Sequence, residues 1–206
     1  MDTLKTLPPS ITIPKFITKI AKTIQFFSPS LAMAFANKLF RTPVKFSTPD
    51  REKAMWKSAQ KKRIAVESLN KEIDVLSYGY SQKKVLLVHG WAGRSTQLFM
   101  IADRLLEKGF MTISFDATAH GKSEGKTSNL LEFIECIKAV NNEFGPFDAA
   151  VGHSLGGMAL YNVTKTLELK TLVTIGAANK IDIIFKRFIQ NMGLKEGIAI
   201  KLKKYC

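Results

Sequence analysis

An α/β architecture, a mostly parallel sheet with helices on both faces and a helical extension before it, is the fold class that this 206-residue sequence predicts. Three observations carry the prediction. Between residues 85 and 177, short apolar runs alternate with longer segments of helical periodicity, the pattern of a parallel sheet covered on both sides. Glycines close several of those segments, where a chain must turn. Upstream the texture differs, with 13 Lys/Arg against 3 Asp/Glu in residues 1–63.

The extension comes first. In ITIPKFITKIAKTIQFF, residues Ile13, Phe16, Ile17, Ile20, Ile24 and Phe27 recur at helical spacing, and Lys15, Lys19 and Lys22 fall roughly opposite at about 100° per residue. A second apolar run, LAMAFANKLF, follows a break at Ser28-Pro29-Ser30. A basic amphipathic helix of this kind suits two places, an anionic membrane surface or its own domain. Residues 42–63, rich in Pro, Lys and Arg, read as a linker passing into a turn or short helix.

From residue 64 the sheet begins. IAVESLN and IDVLSYGY predict two short strands joined by a polar turn, and KKVLLVHG a buried strand closed by glycine. STQLFMIADRLLEKG has helical periodicity ending on Gly109, and FMTISFDA is again strand. LLEFIECIKAVNNEFG predicts a helix stopped by Gly145 and Pro146. FDAAVGHS, LGGMALYNVTKTLEL and KTLVTIGA then read as strand, helix and strand. The expected organisation is an extension over 1–63, an α/β core over 64–179 and a further helical segment over 180–206.

Composition excludes several function classes. Residues 64–179 hold 11 Lys/Arg against 12 Asp/Glu, so the net charge of +14 lies in the flanks and not in the sheet. No RNA- or DNA-binding motif accompanies the basic flanks, so nucleic acid is not an expected partner. No apolar stretch reaches the ~18 residues of a membrane span, and no secretory leader is evident. A cytoplasmic location follows, with peripheral membrane contact through the basic helix. Cys136 and Cys206 have no metal-ligand spacing, and Cys136, inside a helical apolar pattern, reads as a small buried hydrophobe. No metal or organic cofactor is expected. GKS at 121–123 and GKT at 125–127 lack the glycine five positions upstream that a phosphate-binding loop requires.

Three strand ends carry chemistry. They run into HGWAG at 89–93, DATAHGKS at 116–123 and GHSLGG at 152–157. In open parallel sheets working residues collect at such carboxyl ends. The last stretch frames Ser154 in a G-x-S-x-G pattern at a strand-to-helix turn. The alternative role for Ser154 is a helix cap in a glycine-rich turn.

In these three motifs, in this order, the sequence resembles the α/β-hydrolase superfamily over roughly residues 73–179. It looks most like the small bacterial serine hydrolases of the esterase, lipase and acyl-peptidase branch. The resemblance implies that Ser154 is a nucleophile for a small ester or related acyl substrate. It implies that the Leu155 and Trp91 N–H groups form the oxyanion hole. It also implies a histidine after Ser154, preceded by an acid. The three histidines, His89, His120 and His153, all precede Ser154 and sit where the resemblance implies structural roles. Of the carboxylates after Ser154, namely Glu168, Asp182 and Glu196, Asp182 is the candidate acid.

The segment from 180 to 206 resembles the opening helices of a lid. The expectation is a hydrolase core interrupted after its sixth strand and inactive, or nearly so, as a 206-residue chain. The alternatives are a non-catalytic interaction or membrane-surface module on the same scaffold, and acyl transfer to an acceptor other than water.

Overall fold

The structure is a computed structural model that describes residues 13–179 and 181–198. Pro8, Pro9 and the basic terminus ending in Cys206 lie outside the described residues. The chain forms two compact units: residues 1–44 with 180–206, and residues 45–179.

The larger unit is built on a six-stranded sheet, β1 (Gln60–Val66), β2 (Lys71–Tyr78), β3 (Lys84–Val88), β4 (Met111–Phe115), β5 (Ala149–His153) and β6 (Thr171–Ile175). Their spatial order is β1-β2-β4-β3-β5-β6. β1 with β2 and β2 with β4 are antiparallel, while β4, β3, β5 and β6 run parallel. Its helices, in the label order that follows the two earlier helices of the other unit, are α3 (Asp50–Ser58), α4 (Phe99–Glu107), α5 (Leu130–Phe144) and α6 (Leu155–Val163).

The strand order dictates where the helices go. From β3 the chain steps outward to β4, then returns past β3 to β5 and β6. Right-handed crossovers therefore send α4 to one face and α5 and α6 to the other. The cores agree. Leu86 and Val88 of β3 join Ile113, Phe115, Ala150 and the α5 residues Phe133, Cys136, Ile137 and Val140. Val85 and Leu87, with Val151, pack on the opposite face against Met55 of α3 and Ala102 of α4. A strand buried on both faces must be apolar at successive positions, which is why KVLLV is a continuous run.

Three elements differ from the sequence expectation. Residues 42–63, expected as a linker passing into a turn or short helix, hold that helix as α3 but also the start of β1, four residues before the expected strand. Lys61, Lys62 and Arg63 of this edge strand are all exposed, so no alternation announces it before Ile64. α6 stops at Val163, several residues before the end of its apolar run. The break between the first two helices shrinks to Ser28, whose hydroxyl accepts the Leu31 N–H while Pro29 takes the first helical position.

The borders of the sheet are unlike. β1 presents Lys61, Lys62 and Arg63, whereas β6, TLVTI, carries no charge and is mostly exposed. Among the described residues no strand pairs with the outer edge of β6.

The smaller unit contains α1 (Lys15–Phe27), α2 (Pro29–Phe40) and α7 (Ile181–Asn191). Its core gathers Ala21, Ala32, Ala36, Phe185, Ile189 and Met192. Phe40 lies 4.8 Å from Phe185 and 5.0 Å from Phe188, ring centre to ring centre. Among the described residues no helix is long and apolar enough to cross a membrane.

Candidate active site

The carboxyl ends of β3, β4 and β5 lie side by side, and the three motifs read from the sequence form the loops that follow them. The direction of travel along the sheet reverses at β3, which is where open α/β sheets leave a crevice.

Ser154 stands between β5 and α6 with φ +49° and ψ −114°, a conformation that costs an L residue about 1–3 kcal/mol. Its N–H donates to the Ile175 carbonyl of β6 at 2.8 Å, which pins the turn to the sheet. The serine side chain makes no capping hydrogen bond to α6. Helix capping therefore does not account for a serine at this position.

Glycines make the turn possible by close approach. A Cβ on Gly156 would stand 2.4 Å from the His89 carbonyl oxygen and 2.5 Å from that of Val88. A Cβ on Gly152 would meet the Gly157 backbone at 2.6 Å. α6 is thus seated directly on β3, and Leu155, its first residue, carries one of the N–H groups that a helix N-terminus leaves without an intrahelical acceptor.

The loop after β3 reaches the same point. Gly90 through Gly93 form a turn closed by the Gly93 N–H on the Gly90 carbonyl at 3.0 Å, with Ala92 at φ +57°. The Gly90 N–H donates to Gln97 Oε1 at 3.0 Å. A Cβ on Gly90 would lie 3.2 Å from Ser154 Cβ and 2.6 Å from His153 Nδ1, so this turn packs on the serine with no room to spare. The fold consequently brings together Ser154, Leu155 and the turn containing Trp91. Asp182 lies in the first turn of α7, in the helical unit.

The histidines have other tasks. His89 is buried; its Nε2 accepts the Ala117 N–H at 3.0 Å and its Nδ1–H donates to the Gly90 carbonyl at 2.7 Å. One ring therefore ties the loop after β3 to the loop after β4. Burial, with smaller contributions from Arg94 and His153, lowers its pKa to about 4. His120 is buried against Trp91, Phe133 and His89, with ring centres 5.1–5.2 Å apart, and its Nδ1–H donates to the Thr118 carbonyl. Burial and then the neighbouring His89 push it down to about 3. His153 is half-buried beside Gly90.

Sequence reasoning did not anticipate what Asp116 does. This buried carboxylate accepts the Ser95 N–H at 2.6 Å and the Lys122 N–H at 2.8 Å, so it binds the two loops flanking the crevice. Burial raises its pKa, and those two backbone hydrogen bonds act against the rise. Gly121 belongs to this arrangement, since a Cβ there would overlap the Asp116 carboxylate. The GKS segment is accordingly a carboxylate-binding turn, with Lys122 Nζ 3.7 Å from the centre of the Trp56 ring. Cys136 is buried in the α5 core, which pushes its thiol up to about 12.

The model of the Alpha/beta hydrolase family matches residues 85–194. Among solved structures, the chain is similar to the Pyrococcus furiosus esterase Pf2001, at 22% identity and TM-score 0.59, covering 71% of this chain and 62% of that one. It is similar to the thioesterase domain from the curacin biosynthetic pathway, at 19% identity and TM-score 0.53, covering 71% and 67%. A third match, Est1E from Butyrivibrio proteoclasticus with ferulic acid bound, has 22% identity and TM-score 0.55, covering 61% and 56%. No curated protein matches. The chain spans less than two thirds of the length of the Pyrococcus esterase. At these identities the solved structures speak for the fold, an esterase-like α/β arrangement. Over more than half of its length, from β3 through α7, the chain carries the family's pattern on that fold, and it belongs to the alpha/beta hydrolase family.

Proposed function

We propose that Ser154 is the nucleophile of a serine acyl hydrolase acting on a small ester or related acyl substrate. The observation that carries the reading is the strained backbone of Ser154 at the head of α6, with a hydroxyl that does not cap the helix. In this mechanism Ser154 Oγ forms a bond to the acyl carbon, the ester C–O bond breaks, and the alcohol leaves with a proton. Water then releases the acid from the acyl-serine. The Leu155 and Trp91 N–H groups take the charge that develops on the carbonyl oxygen, each worth about 3 kcal/mol in the barrier. The bound ferulic acid of the Butyrivibrio relative supports a small acyl substrate. Transfer to an acceptor other than water shares every step up to the second. No metal or organic cofactor enters, and the site of action is the cytoplasm.

The proton on Ser154 Oγ needs a base. Both nitrogens of His89 are committed, and His120 is buried and takes up a second proton only near pH 3. Asp182 is the acid that the family resemblance would place beside a base, and no histidine follows Ser154 in this sequence. The 206-residue polypeptide is therefore nearly inactive by itself. Loss of a base of this kind costs roughly 10⁶ in kcat, and an oxyanion hole with binding alone leaves about 10³–10⁴ over water. The same lack of a base favours a second reading, a non-catalytic interaction module. Peripheral contact with a membrane through the basic helix is compatible with either.

Imidazole added to the solution supplies the base and separates the readings. A fluorophosphonate probe with imidazole labels Ser154 in the folded chain, and Ser154→Ala abolishes the label. Hydrolysis of 4-nitrophenyl acetate rises with imidazole beyond the background measured on Ser154→Ala. A folded chain that neither labels nor gains a Ser154-dependent rate is the non-catalytic module.

A further inference from the structure

We propose that α1 of the helical unit is an interfacial anchor that seats the protein on an anionic lipid bilayer. This deepens the peripheral contact just described and stands apart from the chemistry at Ser154.

The sequence offers one wide apolar face on α1, and the structure divides it in two. Ala21 and Ile24, with Ile13 just before the helix, pack into the core of the helical unit, and Ala21 is fully buried. Phe16, Ile20 and Phe27 lie on the neighbouring stripe, within about 40° of one another at 100° per residue. They are 63%, 46% and 79% exposed. Leu31, in the first turn of α2, is likewise 63% exposed, and Phe26, edge-on to Phe27 at 5.2 Å, is 84% exposed. A water-soluble surface rarely gathers so many large apolar groups without an occupant.

Charge identifies the occupant. Lys15, Lys19 and Lys22 lie on the polar side of α1 and are exposed, the Lys22 stem running beside Gly193 of the same unit. The unit as a whole, residues 1–44 and 180–206, holds 13 Lys/Arg against 3 Asp/Glu. A second copy would bring the same excess of positive charge to the stripe, whereas an anionic headgroup layer neutralises it. The geometry is that of an interfacial helix: apolar side chains reach the acyl boundary, and lysine stems run along it to the phosphates. Lysines near such a surface each strengthen attachment, and salt weakens it.

The test is sedimentation of the full chain with vesicles of phosphatidylcholine alone or of equimolar phosphatidylcholine and phosphatidylglycerol. The chain is expected to pellet with the anionic vesicles at low salt. Binding falls at least ~10-fold on the neutral vesicles and in 1 M salt, where the Debye length is about 3 Å. The triple variant Lys15→Gln, Lys19→Gln, Lys22→Gln and the pair Phe16→Ser, Phe27→Ser each lose at least ~10-fold, because both attractions are required. Ser154→Ala binds as the parent does, which distinguishes failure here from failure of the hydrolase reading. Should the Phe pair not fold, Phe27→Trp serves in its place, with a blue shift of its fluorescence on anionic vesicles and quenching by brominated lipid. Equal binding to both vesicle types, a Phe27→Trp variant whose emission does not shift, or a dimer in solution that leaves the vesicles unbound each overturns the proposal.

Discussion

Replacing Ser154 by glycine is expected to make the protein more stable than replacing it by alanine. At φ +49° and ψ −114°, Ser154 lies outside the regions open to a residue with a Cβ. Its hydroxyl makes no cap bond, so Ser154→Ala removes the oxygen, keeps the Cβ and leaves the strain in place. Ser154→Gly removes the Cβ and releases about 1–3 kcal/mol of strain. Against that, the unfolded chain gains freedom worth about 0.5–1 kcal/mol. The net gain of glycine over alanine is about 1–2 kcal/mol. For a chain of this size, each kcal/mol moves the melting temperature by about 2–4 °C. The assay is thermal and urea unfolding of parent, Ser154→Ala and Ser154→Gly in one buffer, followed by far-UV circular dichroism. Alanine should match the parent, and glycine should unfold several degrees higher. A glycine variant that unfolds at or below the alanine variant refutes the claim that the turn stores strain.

Acid should destabilise the fold earlier than carboxylate titration alone would bring. His89 and His120 have folded-state pKa values of about 4 and about 3, below the value of about 6.5 in an unfolded chain. The unfolded state therefore binds protons first as pH falls. The stability each neutral ring contributes is complete above about pH 6.5 and declines toward the folded-state value, by about 2 kcal/mol per ring at about pH 5. A urea midpoint that stays constant over that interval would count against both burials. Asp116→Asn should cost about 2 kcal/mol, because one amide oxygen replaces two acceptors and an NH2 group faces a backbone N–H. Amide exchange at Ser95 and Lys122 should quicken together; unchanged protection at both would show that the carboxylate does not hold the loops.

The parallel half of the sheet was legible because β3 is a continuous apolar run between two cores, and because Gly109 and Gly145 mark where helices end. The tight turn at Ser154 was legible, since Gly152 and Gly156 advertise a close approach that leaves no room for side chains. What pattern could not convey is which atom each polar group serves. His89 reads in the sequence as one more histidine near a motif, and only the three-dimensional arrangement puts its two nitrogens on two different loops. Asp116 likewise lies in a motif, but Ser95 is distant in the chain and comes to it through the fold. β1 was half hidden because an edge strand shows water a row of lysines. The apolar face of α1 was visible, but its division between a core and an outer stripe depends on where α2 and α7 lie.

The unlike borders of the sheet bear on symmetry. Growth by strand addition into a fibre requires every molecule to offer two receptive borders, one to donate and one to receive. Here β1 meets any incoming strand with Lys61, Lys62 and Arg63, a charged fringe of the kind that discourages pairing. Only β6 is neutral and open among the described residues. Two molecules meeting there must use the same five residues, related by a twofold axis through the middle of the strand near Val173. Such a contact is closed as soon as it forms, because neither partner has a receptive border left. The chemical polarity of the sheet thus limits an association that could otherwise run on indefinitely to a single pair.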